Sequence, residues 1–116
     1  MILGKETLWK LTALLTSEGF EVAQTSEIPQ ALNTMRQKHF DVILVDSLLP
    51  KAEEACCLIK ETVASPVALI TNGHQIDWNK FRSMDVDGFV PEKAAKSELV
   101  ARLRAISRGS ANNGKV

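Results

Sequence analysis

Residues 41–50 read Asp41-Val42-Ile43-Leu44-Val45-Asp46-Ser47-Leu48-Leu49-Pro50, and this stretch decides the fold. Four consecutive apolar residues, three of them β-branched, stand between two aspartates. A strand with one wet face would alternate polar and apolar positions. An unbroken run instead fits a strand covered on both faces, as in a parallel sheet. Val67-Ala68-Leu69-Ile70 is a second such run, opened by Pro66 and closed by Thr71-Asn72-Gly73. Met1-Ile2-Leu3 and Gly88-Phe89-Val90 are shorter strand signals, and Phe20-Glu21-Val22-Ala23 alternates and reads as one more.

Helical spacing fills the intervals. Leu8, Leu11, Leu14 and Leu15 recur at helical period over 6–18, and Gly19 stops that helix. Ser26 is positioned to cap a second helix, with Pro29 in its first turn and Ile28, Leu32 and Met35 along one face. A third covers about 52–63, with Ala55, Leu58 and Ile59 apolar. Asp77 can cap a short helix carrying Trp78 and Phe81, and the last helix runs over about 96–108 with Leu99, Leu103 and Ile106 inward. Alternating strands and helices predict one doubly wound, flavodoxin-like α/β domain over 1–108, with five parallel strands and a stunted first one. The Gly/Ser/Asn-rich end makes 109–116 a flexible tail.

Composition narrows the function classes. Of 116 residues, 45% are hydrophobic and 24% charged, enough to bury a core. Fourteen Lys and Arg balance fourteen Asp and Glu, which argues against direct nucleic-acid binding through a basic face. No apolar run reaches the length of a membrane span and no signal-peptide pattern is present, so a cytoplasmic location is expected. The only cysteines, Cys56 and Cys57, are adjacent and do not form a disulfide framework.

Chemistry in such sheets gathers at the carboxyl ends of the strands. Here those ends carry Asp46, Thr71 and Glu92, with Gly4-Lys5-Glu6 ending the first strand. His39 and His74 are isolated, so no metal cluster and no nucleophile–base pair is legible, and an enzyme is not expected. Trp9 and Trp78 read as half-buried packing residues, and Asn72-Gly73 as a turn rather than a phosphate cradle.

The Asp41-to-Pro50 stretch resembles the phosphoacceptor strand and loop of response-regulator receiver domains. Pro66-Val67-Ala68-Leu69-Ile70-Thr71 is similar to that family's fourth strand, and Val86-Asp87-Gly88-Phe89-Val90 to its fifth. Gly19-Phe20-Glu21-Val22 and Ala31-Leu32 also fall in place. The resemblance extends to about Arg108. It implies strand order 2-1-3-4-5, a two-component phosphorelay role, Asp46 as phosphoacceptor, Thr71 as phosphoryl ligand and Phe89 as switch aromatic. It further implies a histidine kinase or another signalling protein as partner. The face formed by the family's fourth helix, fifth strand and fifth helix would be the docking surface, and here the last helix carries Arg102, Arg104, Arg108 and Lys96.

The pocket departs from the family pattern. An acidic pair normally ends the first strand and holds Mg²⁺ with the acceptor. Here Gly4-Lys5-Glu6 stands there, and an ungapped alignment places Ile2 and Leu3 at the acidic positions. Asp46 and Glu6 are then the only metal ligands, so Mg²⁺ binding is expected to be weak. The family lysine falls on Glu92 and the proline after it on Lys93; only Lys5 or Lys93 could restore positive charge. The loop after Pro50 lacks the family's Asp-Gly. A degenerate receiver follows, either still phosphorylated or a pseudo-receiver acting by protein contact alone. A flavin-type ligand module is the remote alternative, since the first strand lacks a hydroxyl-rich phosphate loop. The short first strand leaves the sheet incompletely covered, which points to a homodimer.

Overall fold

The computed structural model describes residues 1–5, 8–71 and 86–106. Among these residues nine elements follow in order: β1 (Ile2–Leu3), α1 (Trp9–Ser17), β2 (Gln24–Thr25), α2 (Ile28–Gln37), β3 (Ile43–Asp46), α3 (Ala52–Thr62), β4 (Val67–Thr71), β5 (Gly88–Pro91) and α4 (Lys96–Ile106). The strands form one parallel sheet in the order β2-β1-β3-β4-β5, as the family resemblance implied. The expected helix around Trp78 and Phe81, and the expected tail, lie outside the described residues.

The apolar runs become strands because both of their faces find cover. Ile43, Val45, Val67 and Leu69 point with Leu3 into a layer formed by Ala31 and Met35 of α2 and Ala52, Ala55 and Ile59 of α3. Ile2, Leu44, Ala68, Ile70 and Val90 point the other way, against Leu11 and Leu15 of α1 and Leu99 and Leu103 of α4. Successive strand residues face opposite sides, so an unbroken apolar run supplies both layers at once.

The boundaries hold two corrections. The second strand lies at Gln24–Thr25, not at Phe20-to-Ala23, because its partner β1 is only two residues long. The ladder can form only where Ile2 and Leu3 are; Ala23 still contributes its carbonyl to the Ile2 amide at 2.8 Å. The second correction concerns Ser26, which does not cap α2. Glu27 is the capping position, and the Thr25 hydroxyl accepts the Glu27 amide at 3.1 Å, closing the turn one residue earlier than expected. At the end of α1, by contrast, Gly19 takes φ +93°. The Phe20 amide returns to the Leu15 carbonyl and the Gly19 amide to that of Thr16, each at 3.1 Å. That is a Schellman closure, and Phe20 packs in the same apolar layer as Leu15.

Asp87 ties the lower edge of the sheet together. Its Oδ2 accepts from Lys60 Nζ at 2.7 Å and from the Val67 amide at 2.8 Å, joining the end of α3 to the start of β4. Burial raises the carboxyl's pKa, but the Lys60 and Val67 hydrogen bonds and the Lys60 charge outweigh it and hold the pKa below the ordinary value. A lowered folded pKa contributes stability that is present above the unfolded value, about 3.9, and is lost as pH falls through the folded value. Asp87→Asn is therefore expected to cost about 1 kcal/mol near neutral pH, solvent screening of this part-exposed pair included. The gap should close on acidification below pH ~4. Urea midpoints of both proteins across that range test this; a constant gap would contradict it.

The two cysteines are free. Burial, with the neighbouring Cys57 and Glu53, pushes the Cys56 thiol up to about 12, so it behaves as a small core residue, while Cys57 is exposed.

Candidate functional site

Asp46 ends β3 at the carboxyl edge of the sheet and is 5% exposed. The chain turns immediately after it. Its Oδ1 accepts the Leu48 amide at 3.0 Å and its carbonyl accepts the Leu49 amide at 3.0 Å. One carboxylate oxygen is thus held by the backbone, and the β3–α3 turn is organised around the residue. Leu49 is buried beneath this turn, whereas Leu48 stands outward at 46% exposure. Lys51, which precedes α3, adopts φ 63° without a side-chain cap, so the turn is forced into a left-handed step by a residue that carries a Cβ.

Strand register locates the other residues. Asp46 is level with Ile70 of β4 and Val90 of β5, and Thr71 is level with Pro91. Thr71 is half-buried and lies one step beyond Asp46 on the neighbouring strand. Phe89 pairs in register with Leu69, so alternation places it on the face shared by Thr71; it packs against the layer containing Leu69. Glu92 is half-buried and its amide donates to the Thr71 carbonyl at 2.7 Å. Lys93 is exposed. The structure therefore gathers Asp46, Thr71 and Glu92 at one edge of the sheet, with Phe89 behind Thr71. Glu6 lies outside the described residues.

The first strand also departs from the ungapped alignment. Ile2 and Leu3 are fully buried in the two apolar layers and paired with Leu44 and Val45. Continuing that register by one residue brings Gly4, not Ile2 or Leu3, beside Asp46. A Cβ on Gly4 would lie 2.8 Å from Asp46 Cβ and 2.5 Å from Leu8 Cδ1, closer than real side chains approach. Leu8 is 3% exposed and sits against this glycine. Lys5 is exposed, and its carbonyl accepts the Leu8 amide at 3.0 Å and the Gln24 side-chain amide at 3.2 Å.

The described residues offer a divalent cation a poor site. Mg²⁺ takes oxygen ligands in near-octahedral array. Asp46 supplies one carboxylate, a residue without a side chain stands next to it, and an apolar side chain covers that residue. No group of three or more His, Cys, Asp or Glu that could hold a metal occurs among the described residues. Two features had no signal in the sequence reading. Leu8 read only as one more helical core position, yet it reaches Gly4, the neighbour of Asp46. Ser47 Oγ is buried with no hydrogen-bond partner in the turn beside Asp46, and an isolated serine after a strand announces nothing of the kind.

A parallel sheet wound on both sides, with a buried carboxylate at the end of its central strand β3, defines a class of switch-point α/β domains. The model of the response regulator receiver domain family matches residues 5–104, and the chain belongs to that family. It is thereby a receiver domain of the two-component signalling type. Sensory transduction protein RegX3 of Mycolicibacterium smegmatis is 30% identical over 106 residues, covering 89% of this chain and 46% of that protein. Transcriptional regulatory protein CpxR of Escherichia coli is 33% identical over 103 residues, covering 86% of this chain and 44% of that protein. The chain thus spans less than half the length of these curated relatives. The receiver domain of sensor histidine kinase PA1611 from Pseudomonas aeruginosa, solved with a magnesium ion coordinated in its active site cleft, superposes with a TM-score of 0.74. It is 18% identical and covers 92% of this chain and 94% of its own, a likeness of fold.

Proposed function

We propose that Asp46 accepts a phosphoryl group from a phosphohistidine donor and that the change is read through Thr71 and Phe89. The observation that supports this is the placement of a nearly buried carboxylate at the end of β3, with Thr71 one step beyond it on β4. A carboxylate oxygen attacks phosphorus while the donor's P–N bond breaks, and catalysis rests on positioning and on offsetting charge. Positioning is in place, since the Leu48 amide fixes one oxygen. Charge compensation is poor: Glu92 stands where a lysine would assist, and Gly4 and Lys5 replace the acidic pair. Mg²⁺ therefore binds weakly, with Asp46 and Glu6 as the only carboxylate ligands to offer it. Intact-mass measurement after incubation with a small phosphodonor tests the acceptor role. The direct contact of Gly4, Leu8 and Asp46 favours a second reading, a pseudo-receiver that signals by contact without phosphorylation.

The partner is a histidine kinase or another signalling protein met in the cytoplasm, and the domain itself does not contact nucleic acid. No helix among the described residues is long and apolar enough to cross a membrane. Residues 1–108 act as the folded unit, consistent with a family match that ends at 104, and 109–116 act as a tail. A second copy of the chain is a further partner, and light scattering tests it. Within this reading Glu92 works against activation. Glu92 directly follows β5 and its amide donates to the Thr71 carbonyl, which supports a place for it beside the pocket. Glu92→Lys is expected to raise phosphate-analogue binding by about tenfold, the equivalent of ~1.4 kcal/mol, and Glu92→Ala by less. An unchanged or weaker affinity in folded Glu92→Lys would place this side chain away from the pocket.

A further inference from the structure

We propose that Leu8 is a built-in stopper that occupies the cation's place beside Asp46, making this receiver's site indifferent to Mg²⁺ and restricting access to the carboxylate. The argument begins with Gly4. In register it is the residue next to Asp46, and a Cβ there would lie 2.8 Å from Asp46 Cβ, so the two backbones approach too closely for any side chain between them. The same virtual Cβ would lie 2.5 Å from Leu8 Cδ1 and 3.4 Å from Asp46 Oδ2. The Leu8 methyl therefore occupies the space beside Gly4, with Asp46 Oδ2 close to the same point. The other Asp46 oxygen is already taken by the Leu48 amide.

Leu8 is held there from both ends. Its amide donates to the Lys5 carbonyl at 3.0 Å, and its side chain, 3% exposed, is part of the apolar layer with Leu11, Leu15 and Leu44. An ion at this place would have to displace a buried isobutyl group and would gain from the described residues one carboxylate in return. Re-exposing a buried apolar side chain is unfavourable, and a hard cation offered a single carboxylate by the described residues has little to set against it. Leu8 also occupies the capping position of α1 without a side-chain hydrogen bond to the helix, a place where aspartate is favoured. Leu8→Asp thus removes the stopper, adds a second carboxylate near Asp46 and caps α1 in one change.

The inference rests on Asp46 being the acceptor, and the test separates the two. Backbone amide shifts of Gly4 and Leu48 are followed through a Mg²⁺ titration in the wild type, Leu8→Ala and Leu8→Asp. In parallel, phosphoramidate labelling is read by intact mass with Mg²⁺ or with chelator, folding being checked by circular dichroism. The wild type is expected to show no saturable shift at millimolar Mg²⁺ and equal labelling in both buffers. Leu8→Ala should label about threefold more and remain indifferent to Mg²⁺, and Leu8→Asp should acquire saturable, Mg²⁺-dependent shifts. Saturation of the wild type at low millimolar Mg²⁺ overturns the inference, as do folded Leu8 variants that match the wild type in every readout. Absence of labelling in all three proteins refutes the acceptor role alone, and the shift titration then decides the stopper.

Discussion

Asp46→Ala is expected to abolish the gain of one phosphoryl mass when the protein meets a small phosphodonor, and Asp46→Asn to do the same with less disturbance of the fold. The two variants separate chemistry from structure. Asp46 is 5% exposed and its Oδ1 holds the Leu48 amide at 3.0 Å, so alanine removes both the nucleophile and the group that shapes the turn. Asparagine retains an oxygen acceptor for that amide but has no ionised oxygen to attack phosphorus. Loss of labelling in both variants, with thermal stability kept closer to wild type in Asp46→Asn, is the expected pattern. Labelling that persists in Asp46→Asn would move the acceptor elsewhere in the chain.

The largest expected effect on stability comes from Leu44→Ala. Leu44 is fully buried in β3, paired with Ile2 on one side and Ala68 on the other, and faces α1 and α4. Truncation removes apolar contacts and leaves a cavity that a sheet strand cannot easily close, at a cost of about 3 kcal/mol. Domains of this size have about 5–15 kcal/mol in all, so a large part of the stability would go. A urea midpoint shift corresponding to less than about 1 kcal/mol would mean that this layer repacks.

How far the site could be read in advance depended on what each residue needed. Asp46 and Thr71 were legible because they interrupt long apolar runs, and a polar residue that ends a strand covered on both faces lies at the sheet edge wherever the strands pair. Glu92 stood out only against the family pattern; the hydrogen bond its backbone amide donates to the Thr71 carbonyl then tied it to the same edge. Two places stayed open for the acidic pair, Gly4-Lys5-Glu6 and an ungapped Ile2-Leu3, because Met1-Ile2-Leu3 is too short to fix its own register. Pairing with Leu44 and Val45 set it and brought Gly4 to Asp46. Likewise Phe20-to-Ala23 had the alternation of a strand, but a two-residue partner placed the ladder at Gln24 and Thr25.

By itself the sequence determined the layers. Runs such as Val42-to-Val45 and Val67-to-Ile70 can be satisfied only inside a covered parallel sheet, and the leucine spacing of 8–15 and 99–103 supplies part of the cover. Only the tertiary structure decided which residues meet across the strands at the sheet's edge. Local hydrophobic period is a property of neighbours in the chain, whereas the approach of Gly4, Leu8 and Asp46 depends on the register of β1 against β3 and on the angle at which α1 leaves that strand. Both are set by packing between segments some forty residues apart, and a shift of one residue in that register would turn every side chain of β1 to the opposite face.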